Sequence, residues 1–393
     1  MTITNPIKIV VVGGSFAGIA VINTLLSALG PSSKNIEITL IERRDARHHS
    51  LGAFRALINE EFHSQIWVPY TSLFPKDSPH KVIQGQLSEV HHGYIVLGTG
   101  QSIAFDYLTL CTGSSNPAPA KFNVDFSKEA IEITNKTRED IKKSNNIVII
   151  GGGACGVEMS GEIKTAFPEK TVTLIHASGT LIDYPGYADK LKSTALTHLQ
   201  ALGVDVVLNE RITIEGLDYN NAIQVAPRTI HTKAGKTIES DMQFLAVGIQ
   251  VDTSYMSTLR PPENSNFDPQ TIINEGTHTI KVQKTFQVVG FDHIFAVGDC
   301  SDFSKVPTAA ACTYTGPTVA KNILALIEAD TKNKKAKLVK GSGPPAIMCL
   351  ATGPTTGVTH LPLFGAKFHN FFSRAFKSKD LMIGLSTAAM NIK

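Results

Sequence analysis

The sequence predicts an α/β protein with two Rossmann-like units in tandem and a smaller C-terminal α+β region. Three observations predict it. An apolar strand-like run ending in glycines and followed at once by a helical pattern occurs twice. Later strand-like runs end at further glycine turns. The length of 393 residues exceeds what one ordinary core occupies.

The two copies read KIVVVGGSFAGIAVINTLL and NIVIIGGGACGVEMSGEIK, and their first glycines, Gly13 and Gly151, are spaced as domains are rather than as solenoid repeats. The spacing has a physical reason. Gly13 and Gly151 permit the tight turn out of the strand. Ser15 and Gly153 stand where the backbone must approach a diphosphate, and Gly18 and Gly156 let helix and strand pack closely. A helix starting there turns free N–H groups and a positive dipole end toward the anion. Both units therefore read as dinucleotide-binding. Ser15 in place of the central glycine is a small departure.

Such a unit needs a residue at the end of its second strand to meet a ribose. In IEITLIERRD this is Glu42, a carboxylate that accepts from ribose hydroxyls and repels a 2′-phosphate. In TVTLIHASG the place falls to His176. An imidazole neither excludes a 2′-phosphate as an acid does nor grips it as an arginine does, so NADH and NADPH both stay open.

The remaining elements agree in order. DYLTLCTGSS gives a strand and a turn at Thr112-Gly113, where the chain leaves the first unit. SDMQFLAVGIQ repeats that pattern for the second unit, with Gly248 in the turn. HIFAVGDCSD ends a strand at Gly298-Asp299, placing Asp299 to accept from a ribitol hydroxyl, and the helix start at Pro307 and Thr308 follows beneath a flavin ring. The chain thus leaves the first unit, builds the second and returns. The expected boundaries are 1–115 and 275–328 for an FAD-binding domain, 116–274 for an NAD(P)H-binding domain, and 329–393 for a C-terminal domain.

Composition removes other classes. A net charge of +3 and a pI near 8.4 are too mild for nucleic acid, and none is expected as a partner. Five cysteines without a C-x-x-C pair argue against zinc, against a disulfide framework and against a redox dithiol, and fit a reducing compartment. No run reaches the ~18 apolar residues of a membrane span. The first strand begins near Lys8 behind MTIT, so neither a cleavable targeting segment nor N-myristoylation is expected. A cytoplasmic location follows, with peripheral membrane contact as a candidate.

The pattern GGxxxG…E…TG…GGGxxGVE…GD resembles the two-dinucleotide-binding flavoprotein superfamily. GGGACGVEMSGEIKTAFPEKTVTLIH and RRDARHHSLGAFRALIN resemble its ferroptosis-suppressor, apoptosis-inducing-factor-like branch, and more distantly the type II NADH dehydrogenases. The resemblance covers nearly the whole chain. It implies a glutathione-reductase-like FAD/NAD(P) fold, non-covalent FAD, NADH or NADPH as reductant, and a quinone as acceptor. Carried over by position, Gly13, Gly14, Ser15, Phe16, Ala17, Gly18, Glu42, Thr112, Gly113 and Asp299 would hold FAD, with Arg55 and Val82 near its pyrophosphate and adenine. Gly151, Gly153, Ala154, Gly156, Glu158 and Gly248 would hold the nicotinamide cofactor, with His176 at its ribose. Relatives of this branch end in a Trp-Lys pair near the flavin, where this chain has Ala389 and Met390.

The expected cycle passes hydride from the nicotinamide to the flavin and electrons onward to the acceptor, the protein supplying orientation and electrostatics. Glu158, expected in the first turn of its helix, is the candidate catalytic residue: it orients the nicotinamide, relays a proton to the acceptor, or only favours the helix dipole. His48 and His49, with Arg43, Arg47 and Arg55, either neutralise the FAD phosphates or form a solvated loop. Cys155 reads as packing inside the second loop. Phe364, Phe368, Phe371, Phe372 and Phe376, interleaved with Lys367, Arg374, Lys377 and Lys379, form either a docked helix or dimer contact, or a helix lying in a membrane interface. The alternatives to a quinone oxidoreductase are a reductase of a small redox protein, a biosynthetic FAD oxidase, and a non-enzymatic cell-death factor.

Overall fold

The computed structural model describes residues 5–29, 35–116, 118–212, 221–260, 272–304, 306, 308–343, 346–361 and 380–391. The aromatic-basic stretch at 364–379 and Pro307 lie outside them.

Two five-stranded sheets organise the chain. The first contains β1 (Ile7–Val12), β2 (Ile36–Glu42), β3 (Lys81–Gln84), β4 (Tyr107–Leu110) and, from far downstream, β10 (Ile294–Ala296). Their order across the sheet is β10-β4-β1-β2-β3, and every pairing is parallel. The second contains β5 (Asn146–Ile150), β6 (Thr171–Ile175), β7 (Asp205–Val207), β8 (Ile223–His231) and β9 (Thr237–Leu245). Its order is β7-β6-β5-β9-β8, parallel except for the antiparallel β8/β9 edge. A C-terminal hairpin of β11 (Met348–Ala351) and β12 (Gly357–His360) follows.

The β-branched runs are explained by burial on both faces, the rule for parallel sheets. Along β1, Ile9 and Val11 face one cluster with Ile22, Leu25 and Val319, whereas Val10 and Val12 face another with Ile95, Leu108 and Phe291. The first cluster is closed by α1 (Phe16–Leu29) packed on α6 (Ala309–Thr331). Gly316 permits their close approach, since a Cβ there would stand 2.8 Å from the Ala20 Cβ and 3.0 Å from the Ala17 carbonyl oxygen. Thr308 caps α6, its hydroxyl accepting from the Ala311 N–H at 3.1 Å.

Helices α2 (Ala53–Ile58) and α3 (Ser127–Lys143) pack on the second sheet's core through Phe54, Leu57 and Ile141. The second sheet carries α4 (Ala154–Ala166) and α5 (Asp189–Leu202), and the C-terminal hairpin joins its core through Met348, Leu350 and Val358. Tyr255, Met256, Leu259 and Ile272 already belong to the first sheet's core, so the return begins before β10. Where the chain crosses between units, Ser115 and Gln250 exchange backbone hydrogen bonds at 2.7 and 3.0 Å.

Candidate dinucleotide sites

Both glycine loops have the geometry their spacing requires. Gly13 has φ of +103°, and a Cβ there would lie 2.2 Å from the Cys111 carbonyl oxygen. Gly151 repeats this with φ of +119° and the Ala246 carbonyl at 2.3 Å. Gly18 and Gly156 face the carbonyls of Gly13 and Gly151 so closely that no side chain fits. Gly113, Gly248 and Gly298, which end the later strands, all take left-handed φ, between +71° and +90°.

The second-strand termini then show what the motif alone leaves open. The Glu42 carboxylate is buried and accepts from the Gly14 N–H at 2.6 Å and the Arg44 N–H at 3.0 Å. His176 Nδ1 accepts from the Gly152 N–H at 3.0 Å, the same bond at the same place in the second loop. An accepting Nδ1 leaves the ring proton on Nε2, which is buried and has no hydrogen-bond partner. Burial lowers the His176 pKa against the opposing pull of Asp183, so the ring is neutral at pH 7.

Around the first loop the basic cluster is not a solvated surface: Arg47, His48, His49 and Arg55 are all buried. The Arg47 guanidinium sits 5.2 Å from the Phe16 ring centroid, at the start of α1. Its Nη1 donates to Ser386, to the carbonyl at 3.0 Å and the hydroxyl at 2.7 Å, while its Nε is buried without a partner. His48 stacks on Trp67 at 4.5 Å, and burial, reinforced by neighbouring Arg44, holds its pKa well below 6.5. His49 Nε2 lies 2.7 Å from the Leu381 carbonyl. Arg43 points elsewhere, pairing with Asp125 at 2.9 Å and Asn123 at 3.1 Å. Arg55 is held bidentately by Glu162 of α4 at 2.6 and 2.9 Å, so this cation joins the first unit to the second. Val82 lies in β3 beside Leu40 and packs on the first core.

Asp299 lies beside the residue that follows the Thr112-Gly113 turn: its Oδ2 accepts from the Ser114 hydroxyl at 2.7 Å and lies 3.4 Å from Lys121 Nζ. Together with Gly298, Thr308 and Cys312 it lines a cavity beside the start of α6. Lys121 and Tyr70 carry no motif and were missed by sequence reasoning. The Tyr70 phenol donates to the Gly14 carbonyl at 2.9 Å.

Glu158 corrects an expectation. Helix α4 begins at Ala154, so Glu158 stands in the second turn, too far in for a dipole role. Its buried Oε1 accepts from the Ala351 N–H of β11 at 2.9 Å. At the C-terminus, Met390 is fully buried in the first core, and the Ala389 carbonyl accepts from Asn23 at 2.9 Å. The residues that replace the Trp-Lys pair are packing residues.

The profile of the family described as pyridine nucleotide-disulphide oxidoreductase matches residues 7–322. The chain belongs to this family. Two relatives span almost all of it. Apoptosis-inducing factor homolog B of Dictyostelium discoideum is 30% identical, over 98% of this chain and 97% of its own. Ferroptosis suppressor protein 1 of Mus musculus is 30% identical, over 98% and 96%. Among solved structures, the sulfide:quinone oxidoreductase from Aquifex aeolicus superposes with a TM-score of 0.68 at 18% identity, covering 98% of this chain and 92% of that one.

The protein is therefore an FAD- and pyridine-nucleotide-dependent oxidoreductase, and its residues fit those cofactors. The two cradles admit no Cβ, and buried nitrogens without partners (Arg44 Nε, Arg47 Nε, His48 Nε2) gather just after β2, where the Arg47 guanidinium reaches Phe16 at the start of α1. All five cysteines are free. No helix among the described residues is long and apolar enough to cross a membrane.

Proposed function

We propose that the protein is an FAD-dependent NAD(P)H:quinone oxidoreductase. The observation that carries this reading is the doubled loop. Each copy ties its second glycine N–H to the residue ending the next strand, a carboxylate in one and a neutral imidazole in the other. One copy suits a cofactor whose ribose bears no phosphate, as in FAD. The other suits NADH and NADPH alike. The quinone acceptor rests on the resemblance to the ferroptosis-suppressor branch, supported by full-length similarity to a protein of that name and by a fold shared with a sulfide:quinone oxidoreductase.

Within this reading residues 1–115 and the return to the first core, which begins by Tyr255 rather than at 275, hold FAD, the unit built around the second sheet holds NAD(P)H, and 329–393 complete the acceptor side. Residues Gly13 to Gly18 give α1 N–H groups to the FAD pyrophosphate, Glu42 takes the adenosine ribose, and Arg47 balances phosphate charge. Asp299, aligned by Ser114 and Lys121, takes a ribitol hydroxyl, and Thr308 fixes the start of α6. The bound flavin supplies a two-electron store between reductant and acceptor. Gly151 to Gly156, with His176 and Gly248, receive the dinucleotide. Glu158 acts by position, setting the dinucleotide helix against the C-terminal hairpin.

The test is stopped-flow mixing of the flavin-loaded protein with NADH or NADPH, followed by a ubiquinone analogue or dioxygen, with and without liposomes. Rapid flavin bleaching and reoxidation faster by quinone than by oxygen are expected. Reoxidation no faster by quinone defeats the acceptor assignment, and absence of bleaching defeats the enzyme reading. Acceleration by liposomes is expected if the acceptor is taken from a bilayer.

A further inference from the structure

Two consecutive peptides of the first glycine loop are pinned from outside the loop. The Gly14 N–H donates to the Glu42 carboxylate at 2.6 Å, which fixes the Gly13–Gly14 peptide. The Gly14 carbonyl accepts from the Tyr70 phenol at 2.9 Å, which fixes the Gly14–Ser15 peptide. In a trans peptide the N–H and the C=O point opposite ways, so a carbonyl held toward the protein turns the Ser15 N–H outward. Gly14 is buried and Ser15 exposed, as that arrangement requires. Tyr70 comes from the connection between β2 and β3 and is buried in the first core. Burial, with Glu42 beside it, holds the phenol pKa well above its usual value, so the hydroxyl stays a donor. A Cβ on Gly14 would stand 2.6 Å from the phenol oxygen, so the absent side chain makes room for this contact.

The second loop reaches the same end by another route. Its Gly152 carbonyl accepts from the Ile182 N–H at 2.8 Å, a main-chain donor. Ile182 is fully buried at a φ of +54°, a conformation that a β-branched residue keeps only where packing holds it. The Tyr184 phenol lies against Gly153 instead, 2.7 Å from where a Cβ would stand. Two unrelated segments thus bring a donor to the same carbonyl of the repeat.

We propose that Tyr70 is a positioning residue for FAD: its phenol draws the Gly14 carbonyl away from the pyrophosphate and so aims the Ser15 N–H at a phosphate oxygen. The proposal rests on reading the first loop as the FAD site. Without the phenol the peptide can turn its carbonyl, an oxygen of like sign, toward the phosphates. The second loop uses a main-chain donor, so the effect is confined to FAD.

The test compares the FAD-loaded wild type with Tyr70→Phe, which keeps the ring in the core and removes the donor. Flavin fluorescence on dilution gives the FAD dissociation constant, and ³¹P NMR reads the pyrophosphate of the bound FAD. The variant is expected to hold FAD about fivefold more weakly, the net worth of one hydrogen bond. At least one phosphorus resonance should move, while ADP binding to the FAD-loaded protein stays unchanged. Weaker FAD with unmoved phosphorus resonances makes Tyr70 a packing residue and overturns the proposal. FAD held as tightly as in the wild type, or an equal loss for ADP, overturns it as well. If the wild type binds no FAD, the reading of the first loop falls and takes the proposal with it. That outcome is separable from a wild type that binds FAD and a variant that shows no change. Gly14→Ala, whose Cβ must push the phenol aside, serves as a second variant with the same expected direction.

Discussion

Replacing His176 with glutamate turns the second loop into a chemical copy of the first. The bond to be preserved is the Gly152 N–H on His176 Nδ1 at 3.0 Å, and the first loop shows that a carboxylate makes the same bond at 2.6 Å. The fold should therefore accept the change, while a negative charge appears where the adenosine ribose is read. A 2′-phosphate about 4–6 Å from that charge meets roughly 3–4 kcal/mol of repulsion per unit charge at an effective dielectric near 20. Water and salt reduce this to about 1.4–2.8 kcal/mol, or 10- to 100-fold in binding. The KM for NADPH should rise by that factor while the KM for NADH changes little. The assay is steady-state reduction of a quinone analogue with each reductant, at low and high ionic strength. The NADPH/NADH ratio of the variant should relax toward that of the wild type as salt is added. Equal losses for both reductants, or a ratio insensitive to salt, would refute the assignment of His176 to the ribose.

The remaining predictions concern the cradle and the buried charges. Gly13→Ala should yield protein without yellow flavin, whereas Gly151→Ala should keep flavin and lose NAD(P)H-dependent bleaching, because each Cβ meets a carbonyl of a different unit. Absorbance at the flavin band after purification decides between them. His48 is buried with its pKa well below 6.5, so the unfolded chain binds the extra proton first as the pH drops. Its contribution to stability is then complete above about pH 6.5 and lost as the pH falls below it. His48→Phe, which keeps the contact with Trp67, should flatten the melting temperature against pH between about 5 and 6.5. Arg55→Ala removes the cation held bidentately by the buried Glu162 carboxylate and should cost about 3–5 kcal/mol of stability. Arg55→Met combined with Glu162→Leu should recover most of that in thermal unfolding of the flavin-loaded protein.

The parts legible in the sequence are those whose cause is local. A glycine between a β-branched run and a helix has one dominant physical reason, and both loops follow it. Glu42 and His176 could be singled out because each stands at or just past the end of the second strand of its copy, and Asp299 because it follows the glycine after a later strand. What stayed hidden depends on distant segments meeting. Nothing near Tyr70, Lys121 or Tyr184 marks them, since each reaches its loop from a different turn of the chain. The RRDARHHS cluster reads from sequence more as a solvated loop than as a phosphate-facing one, because charge density alone does not say whether another segment covers it. Here residues 381–386 do so, through Ser386 and the Leu381 carbonyl. Glu158 was misplaced by one turn because the helix starts at Ala154, a boundary the glycine spacing does not set.

Strands β4 and β10 are hydrogen-bonded neighbours, although the whole second sheet lies between them in the chain. Entry to and exit from the second unit are therefore about one strand spacing apart, roughly 4.8 Å, and the Ser115–Gln250 bridge cinches the two crossings together. Such a unit is plugged in rather than threaded through, and closing the gap between β4 and β10 costs least once the insert has already folded. A segment exchanged at these crossings would leave every ladder bond of the first sheet intact. The second unit is thus a cartridge that could be exchanged without rebuilding the first sheet.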